Sequence, residues 1–148
     1  MKKYLFLLYG LISYLAFFGT ILYAIGFVGN LVVPKTIDGE PQTSLAAAVL
    51  INASLLLLFA LQHSIMARPA FKRWWTRMIP KELERSSFVL LSSLCLMLLM
   101  WQWQPVGGIV WSVESKTAKD LLFIFYLAGW GIVFISTFLI NHFDLFGL

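Results

Sequence analysis

His63 and His142 are the only 2 histidines in this chain, and each lies in a short polar run beside a long apolar stretch. Gln62 and Ser64 flank the first, and Arg68 follows about one and a half helical turns later. Asn141 and Asp144 flank the second. An imidazole exchanges a proton near neutrality, and a guanidinium with side-chain amides holds an anionic group. Brought together, these residues make a polar mouth that can hold the anionic part of a cofactor or offer a base to a thiol. In that reading His63, His142 and Asp144 support the chemistry, while Gln62, Arg68 and Asn141 are the cofactor-holding candidates. A second reading makes His63 or His142 the axial ligand of a haem or chlorophyll-type pigment. A third leaves all six as interface residues, hydrated by lipid headgroups and bonded to one another. No metal-ligand spacing, nucleophile elbow or phosphate-cradling glycine loop accompanies them. The single Cys95 lies inside an apolar run and reads as a small buried hydrophobe rather than a ligand.

The elements that carry these residues belong in a lipid bilayer. The 148 residues are 60% hydrophobic and only 12% charged, with a mean hydropathy of +0.84. A water-soluble domain carries roughly 25% charged residues, so this chain has too few to cover a surface facing water. Its net charge of +4 is concentrated in one loop and at the N-terminus, which excludes a nucleic-acid partner and reads as membrane orientation. Four stretches approach the ~20 apolar residues that a spanning helix needs: 4–27, 44–66, 86–104 and 120–143. The first begins like a signal peptide. Its apolar run, however, far outlasts the roughly 7–15 residues of such a peptide's core, so it reads as an uncleaved span. Alternation of period two is absent, which excludes a β-barrel. The expectation is an all-α integral membrane protein, a single domain of four transmembrane helices.

Charge orients the bundle. Lys2, Lys3, Arg68, Lys72, Arg73, Arg77, Lys81 and Arg85 fall at one end, against Lys35, Lys116 and Lys119 at the other. The richer end, with both termini, is expected in the cytoplasm. Trp101, Trp103 and Trp111 then mark the opposite interface. Within the basic loop, Pro69 suits a helix start, and Phe71, Trp74, Trp75 and Met78 recur at helical spacing against Lys72, Arg73, Thr76 and Arg77. This predicts a short cytoplasmic amphipathic helix over 69–79, lying in the interface. The second and fourth spans run the same way and end in the histidine-bearing runs. His63 and His142 are therefore expected at one depth, lining one cavity. Mid-span, Asn52 is expected to bond a neighbouring helix, whereas Ser92 and Ser93 can bond their own backbone. Gly10, Gly19, Ala128, Gly129 and Gly131 offer small faces for helix contact.

The stretch Leu61-Gln62-His63-Ser64-Ile65-Met66-Ala67-Arg68-Pro69-Ala70-Phe71-Lys72-Arg73-Trp74-Trp75-Thr76-Arg77 resembles the signature of bacterial methanethiol S-methyltransferases. These are membrane enzymes grouped with the NnrU proteins and the isoprenylcysteine carboxyl methyltransferases. Residues 24–30, 84–86, 101–103 and 138–148 resemble the same family, so the likeness covers essentially the whole chain. It implies methyl transfer from S-adenosylmethionine to a small thiol, methanethiol giving dimethyl sulfide, in a bacterial cytoplasmic (inner) membrane. The family's pattern runs on beyond the equivalent of Leu148, with an Arg-His-Pro stretch and a later Glu pair implicated in cofactor binding. Neither motif occurs here, so the family's cofactor residues have no positions to be carried onto. The resemblance thus implies the N-terminal half of such a protein, inactive and without tight S-adenosylmethionine binding on its own. Its expected partners are the lipid bilayer and a C-terminal half, a homo-oligomer or a larger membrane complex. A non-catalytic structural subunit of a larger membrane complex, touching pigment or haem, is the alternative from a different class.

Overall fold

The computed structural model describes residues 2–109 and 111–147; Met1, Val110 and Leu148, the last of which closes the C-terminal resemblance, lie outside them. The described residues form helices and loops without a strand. In order they are α1 (Lys2–Val28), α2 (Leu45–Ala67), α3 (Pro69–Trp75), a single 3-10 turn (Lys81–Leu83), α4 (Glu84–Gln102), α5 (Lys116–Ile140) and α6 (His142–Phe146). Four of these helices are long and apolar enough to cross a membrane. At 1.5 Å per residue, even the 19 residues of α4 cover about 29 Å, close to the ~30 Å hydrocarbon thickness. The chain is an all-helical, multi-pass membrane protein.

Local chemistry sets the helix ends. Ser44 and Ser115 cap α2 and α5, their hydroxyls accepting from the N–H groups of Ala47 and Ala118. Pro69 opens α3, where its missing N–H is no loss. The third span begins and ends two residues earlier than expected, and at its end Gln104 leaves the helix to pair with α2. Asn52 Nδ2 donates to Gln104 O at 2.7 Å, and Gln104 N–H donates to Asn52 Oδ1 at 2.9 Å. The partner of Asn52 is therefore the backbone just past the neighbouring helix, not that helix itself. The fourth span ends at Ile140 rather than 143, for a reason set out with the site below.

The centre of the bundle is α4, with α1 packed on one flank and α2 on the other. Small residues let α1 and α4 approach: Gly10, Ser13, Thr20 and Ala24 face Ser86, Ser87, Val89 and Ser93 as the buried positions of the two helices. Their hydroxyls do not go unpaired. Ser13, Thr20 and Ser93 donate to the carbonyls of Tyr9, Ala16 and Val89 on their own helices, and Tyr9 pairs with Ser87 across the interface. Towards the opposite end Ala24, Phe27, Leu99 and Met100 form an apolar core, over which Trp103 lies with its indole N–H on Ile37 O.

The α5 helix stands apart, with none of its residues buried. Tyr126 ties it to α1, its hydroxyl donating to Ile25 O and its ring lying against Gly29. Of the glycines expected at helix contacts, Gly10 is buried within this chain, whereas Gly19, Gly129 and Gly131 have open space beside them. The α3 helix is also shorter than expected, ending at Trp75. Arg77 and Met78 bond back three residues, to Trp74 and Trp75, which tightens the end into turns and takes Met78 off the helical face. Phe71 and Trp75 are half-buried, Trp74 and Met78 are exposed, and Lys72 pairs with Glu84 at 3.2 Å.

Candidate functional site

His142 is placed by a break in the chain. Asn141 adopts φ +114°, a region open to few residues but tolerated by Asn, and its N–H still bonds to Thr137 O. The same side chain then caps the next turn, its Oδ1 accepting from Asp144 N–H. One asparagine therefore ends α5 and starts α6, so Asn141 acts here as a hinge in the backbone. The turn lays His142 and Phe146 inward, 3% and 6% exposed.

Both nitrogens of His142 are engaged. Tyr14 Oη lies 2.9 Å from Nε2, and Thr137 Oγ1 lies 2.7 Å from Nδ1. The single hydroxyl proton of Thr137 goes to Phe134 O at 2.7 Å, so Thr137 accepts from Nδ1–H. With Nδ1 donating, a neutral ring accepts the Tyr14 phenol at Nε2. Phe138 stacks on it at 4.2 Å, nearly parallel. A ring held this way has no lone pair left for the axial iron or magnesium of a pigment. Among the described residues, no group of three His, Cys, Asp or Glu side chains could hold a metal ion.

The α6 helix is pinned from its other side as well. Arg85 Nη1 donates to Asp144 O at 2.7 Å and forms an ion pair with its carboxylate. The guanidinium hydrogen bond holds the Asp144 carboxyl below its ordinary range. Ser86 Oγ donates to Gly147 O at 3.1 Å. Gly147 has φ +78°, and a Cβ there would meet Ser86 Oγ at 2.6 Å, so only glycine closes this corner. Phe146 stacks on Phe17 of α1 at 4.2 Å.

His63 has a different setting. It lies about one helical turn before the end of α2, between Phe59 and Phe88, with ring centroids at 5.5 and 5.0 Å. Its Nδ1 is 3.4 Å from Ser92 Oγ, a long contact, and its Nε2 takes no partner among the described residues. The ring lines a cavity of about 200 Å³ between α1, α2 and α4, walled by Phe17, Thr20, Phe88, Ser92 and Leu96. A second, wider cleft of about 560 Å³ opens between α1 and α5. His142 lines that one, with Phe18, Ile25, Trp130 and Phe134. The two histidines thus do not share a cavity as expected: Phe17, Ile21 and Phe146 line both spaces and form the wall between them.

The remaining candidates divide the same way. Gln62 Nε2 donates to Met66 Sδ at 3.1 Å, while its buried Oε1 has no partner among the described residues. Trp75 Nε1, beyond the α2–α3 elbow, is likewise buried and unpaired. Arg68 forms the elbow itself and is exposed. Arg85, Ser86 and Phe146 stood only among the orienting charges or the family-like stretches, without a place in the site, and Tyr14 and Thr137 were not singled out at all. The only signals for those two were a phenol and a hydroxyl at membrane depth, too common in apolar helices to stand out.

No family model matches the chain, and no solved structure does. The methanethiol S-methyltransferase of Crocosphaera subtropica is 54% identical over 142 residues, 96% of this chain and 56% of the relative. Methanethiol S-methyltransferase 1 of Bradyrhizobium diazoefficiens is 56% identical over 99% of this chain and 51% of its own length. The methanethiol S-methyltransferase of Mycobacterium tuberculosis is 49% identical over 100% of this chain and 61% of its own length. By sequence the chain is a homologue of the methanethiol S-methyltransferases, and it spans about half the length of the curated relatives it matches.

Proposed function

We propose that the chain forms the thiol-handling membrane part of an S-adenosylmethionine-dependent thiol S-methyltransferase, in a bacterial inner membrane with its basic end towards the cytoplasm. Its 49–56% identity to part of the methanethiol S-methyltransferases, over nearly all of this chain, carries this reading. The reaction asks little covalent chemistry of the protein: a thiolate attacks a sulfonium methyl in line, so the site must align the two and favour the deprotonated sulfur. Both cavities expose almost wholly apolar surface and suit a small apolar thiol drawn from the membrane.

The cofactor's amino-acid end needs an acceptor for its ammonium and donors for its carboxylate. Gln62 Oε1 and Trp75 Nε1, unpaired among the described residues, with the Arg68 guanidinium between them in sequence, supply those types on the two sides of the α2–α3 elbow. In this reading the rest of the cofactor is held by sequence of the kind that makes up the relatives' remaining length.

The test is dimethyl sulfide production in nanodiscs given S-adenosylmethionine and methanethiol. The chain alone is expected to bind the cofactor weakly and give no product. Product is expected once the complementary length of the Crocosphaera relative is co-expressed with it. Failure in both arrangements would overturn the proposal and favour a non-catalytic subunit, a reading supported by the bare apolar faces of α5. Micromolar cofactor affinity for the chain alone would instead confine the cofactor site to these 148 residues, across a homodimer.

A further inference from the structure

We infer that His63 is the base that accepts the thiol proton, and that the cavity between α1, α2 and α4 is where a small alkyl thiol binds. This rests on the methyltransfer reading but is tested without it.

The first argument is availability. Of the chain's 2 imidazoles, His142 has both nitrogens committed, to Tyr14 and Thr137. Recruiting it would break a buried hydrogen bond inside an aromatic cage. His63 has one nitrogen without a partner among the described residues and the other in a 3.4 Å contact that costs little to adjust.

The second argument is the cavity. An apolar cavity of about 150 Å³ holds a benzene, so the ~200 Å³ beside His63 takes a short alkyl thiol with room for an approaching methyl group. Its polar atoms are few, and two of its hydroxyls are already directed. Thr20 and Ser93 donate to their own helices, so they present only lone pairs to the space. An S–H is a weak donor and a soft, apolar group, suited to such a lining.

The third argument is position. His63 is about 6 Å from the end of α2, at the basic end and exposed, whereas Thr20 and Leu96 lie deeper in the same cavity. Its ring thus bridges an apolar binding space and the interface, where a captured proton can leave to water. The step balances as follows. The S–H bond breaks and His63 takes the proton. The freed sulfur pair forms a bond to the methyl carbon of a sulfonium donor. The donor's C–S bond breaks, its electrons returning to the donor sulfur. A thioether, a neutral donor remnant and an imidazolium result.

The experiment is nitrogen NMR of the full chain, labelled at histidine, in nanodiscs. Its two imidazoles are assigned by His63→Gln. Methanethiol is expected to move the His63 resonances and leave those of His142 in place. Dimethyl sulfide, as apolar but without an S–H, is expected to leave both in place and to bind roughly tenfold more weakly, the equivalent of one hydrogen bond. His63→Gln and His63→Asn are each expected to weaken methanethiol binding to the level of dimethyl sulfide. The unchanged His142 signals report that these variants remain folded. Equal binding of thiol and thioether would show partition into an apolar space and overturn the proposal. A response at His142 instead would place the thiol in the α1–α5 cleft and overturn it too. A His63 response without methyl transfer in the co-expressed arrangement would leave the thiol site standing and remove the enzymatic reading.

Discussion

Replacing Asn52 with alanine removes both bonds that join α2 to the chain leaving α4, the 2.7 Å donation to Gln104 O and the 2.9 Å acceptance from Gln104 N–H. The site is 6% exposed and lies in a helix long and apolar enough to span a membrane. Water is therefore poorly placed to replace the lost partner. Side-chain bonds between membrane helices average about 0.6 kcal/mol, and an unpaired buried backbone group costs about 1–3 kcal/mol. Alanine's better helix propensity returns up to about 0.7 kcal/mol. The balance is a loss of about 1–3 kcal/mol. Asn52→Asp separates this account from simple loss of packing. Its carboxylate can still accept from Gln104 N–H, but it sets a second oxygen against Gln104 O, so aspartate should cost more than alanine at neutral pH. Reversible unfolding in mixed micelles titrated with dodecyl sulfate, followed by tryptophan fluorescence, measures both. A loss under about 0.5 kcal/mol for Asn52→Ala, the scale of an ordinary surface change, would refute the clamp, as would an aspartate variant more stable than the alanine one.

Tyr14→Phe leaves His142 Nε2 without its donor in a buried setting and should destabilise the docking of α6 by about 1–3 kcal/mol, read as faster amide exchange over residues 142–147. Because Arg85 lowers the Asp144 carboxyl, its contribution is complete above the ordinary carboxylate range and is lost as pH falls through the lowered value. Exchange over α6 should therefore accelerate in acid, and Asp144→Asn should remove that pH dependence; an unchanged acid profile in the variant would contradict it. For the proposed orientation, reporter fusions after Lys35 and after Ser115 should read as external, and a cytoplasmic signal at either would break it. If α3 lies in the interface, single-tryptophan variants retaining Trp74 or Trp75 should be quenched at headgroup depth, and quenching at the bilayer centre would sink that placement.

Some features of this protein follow from chain-local physics and needed no fold. The four spans are legible because apolar length and absent charge are properties of each segment by itself, and Pro69 marks the start of α3 because its missing N–H is no loss there. Similarity to the methanethiol S-methyltransferases is also a property of residue order. The two histidine runs were visible too, since polar residues at the ends of apolar helices stand out against their neighbours. Their division of labour was not. That Asn141 would turn the backbone, that Asp144 would pair with Arg85, and that Tyr14, 128 residues away, would occupy His142 Nε2 are all facts of which helices meet. The same holds for Phe146, which walls the two cavities apart, and for α5, whose periodicity looks like that of the packed helices yet which buries nothing. In a bilayer every face of a spanning helix is apolar, so hydrophobicity cannot say which face packs; small residues and a few hydrogen bonds decide it, and those acquire meaning only when the helices are side by side.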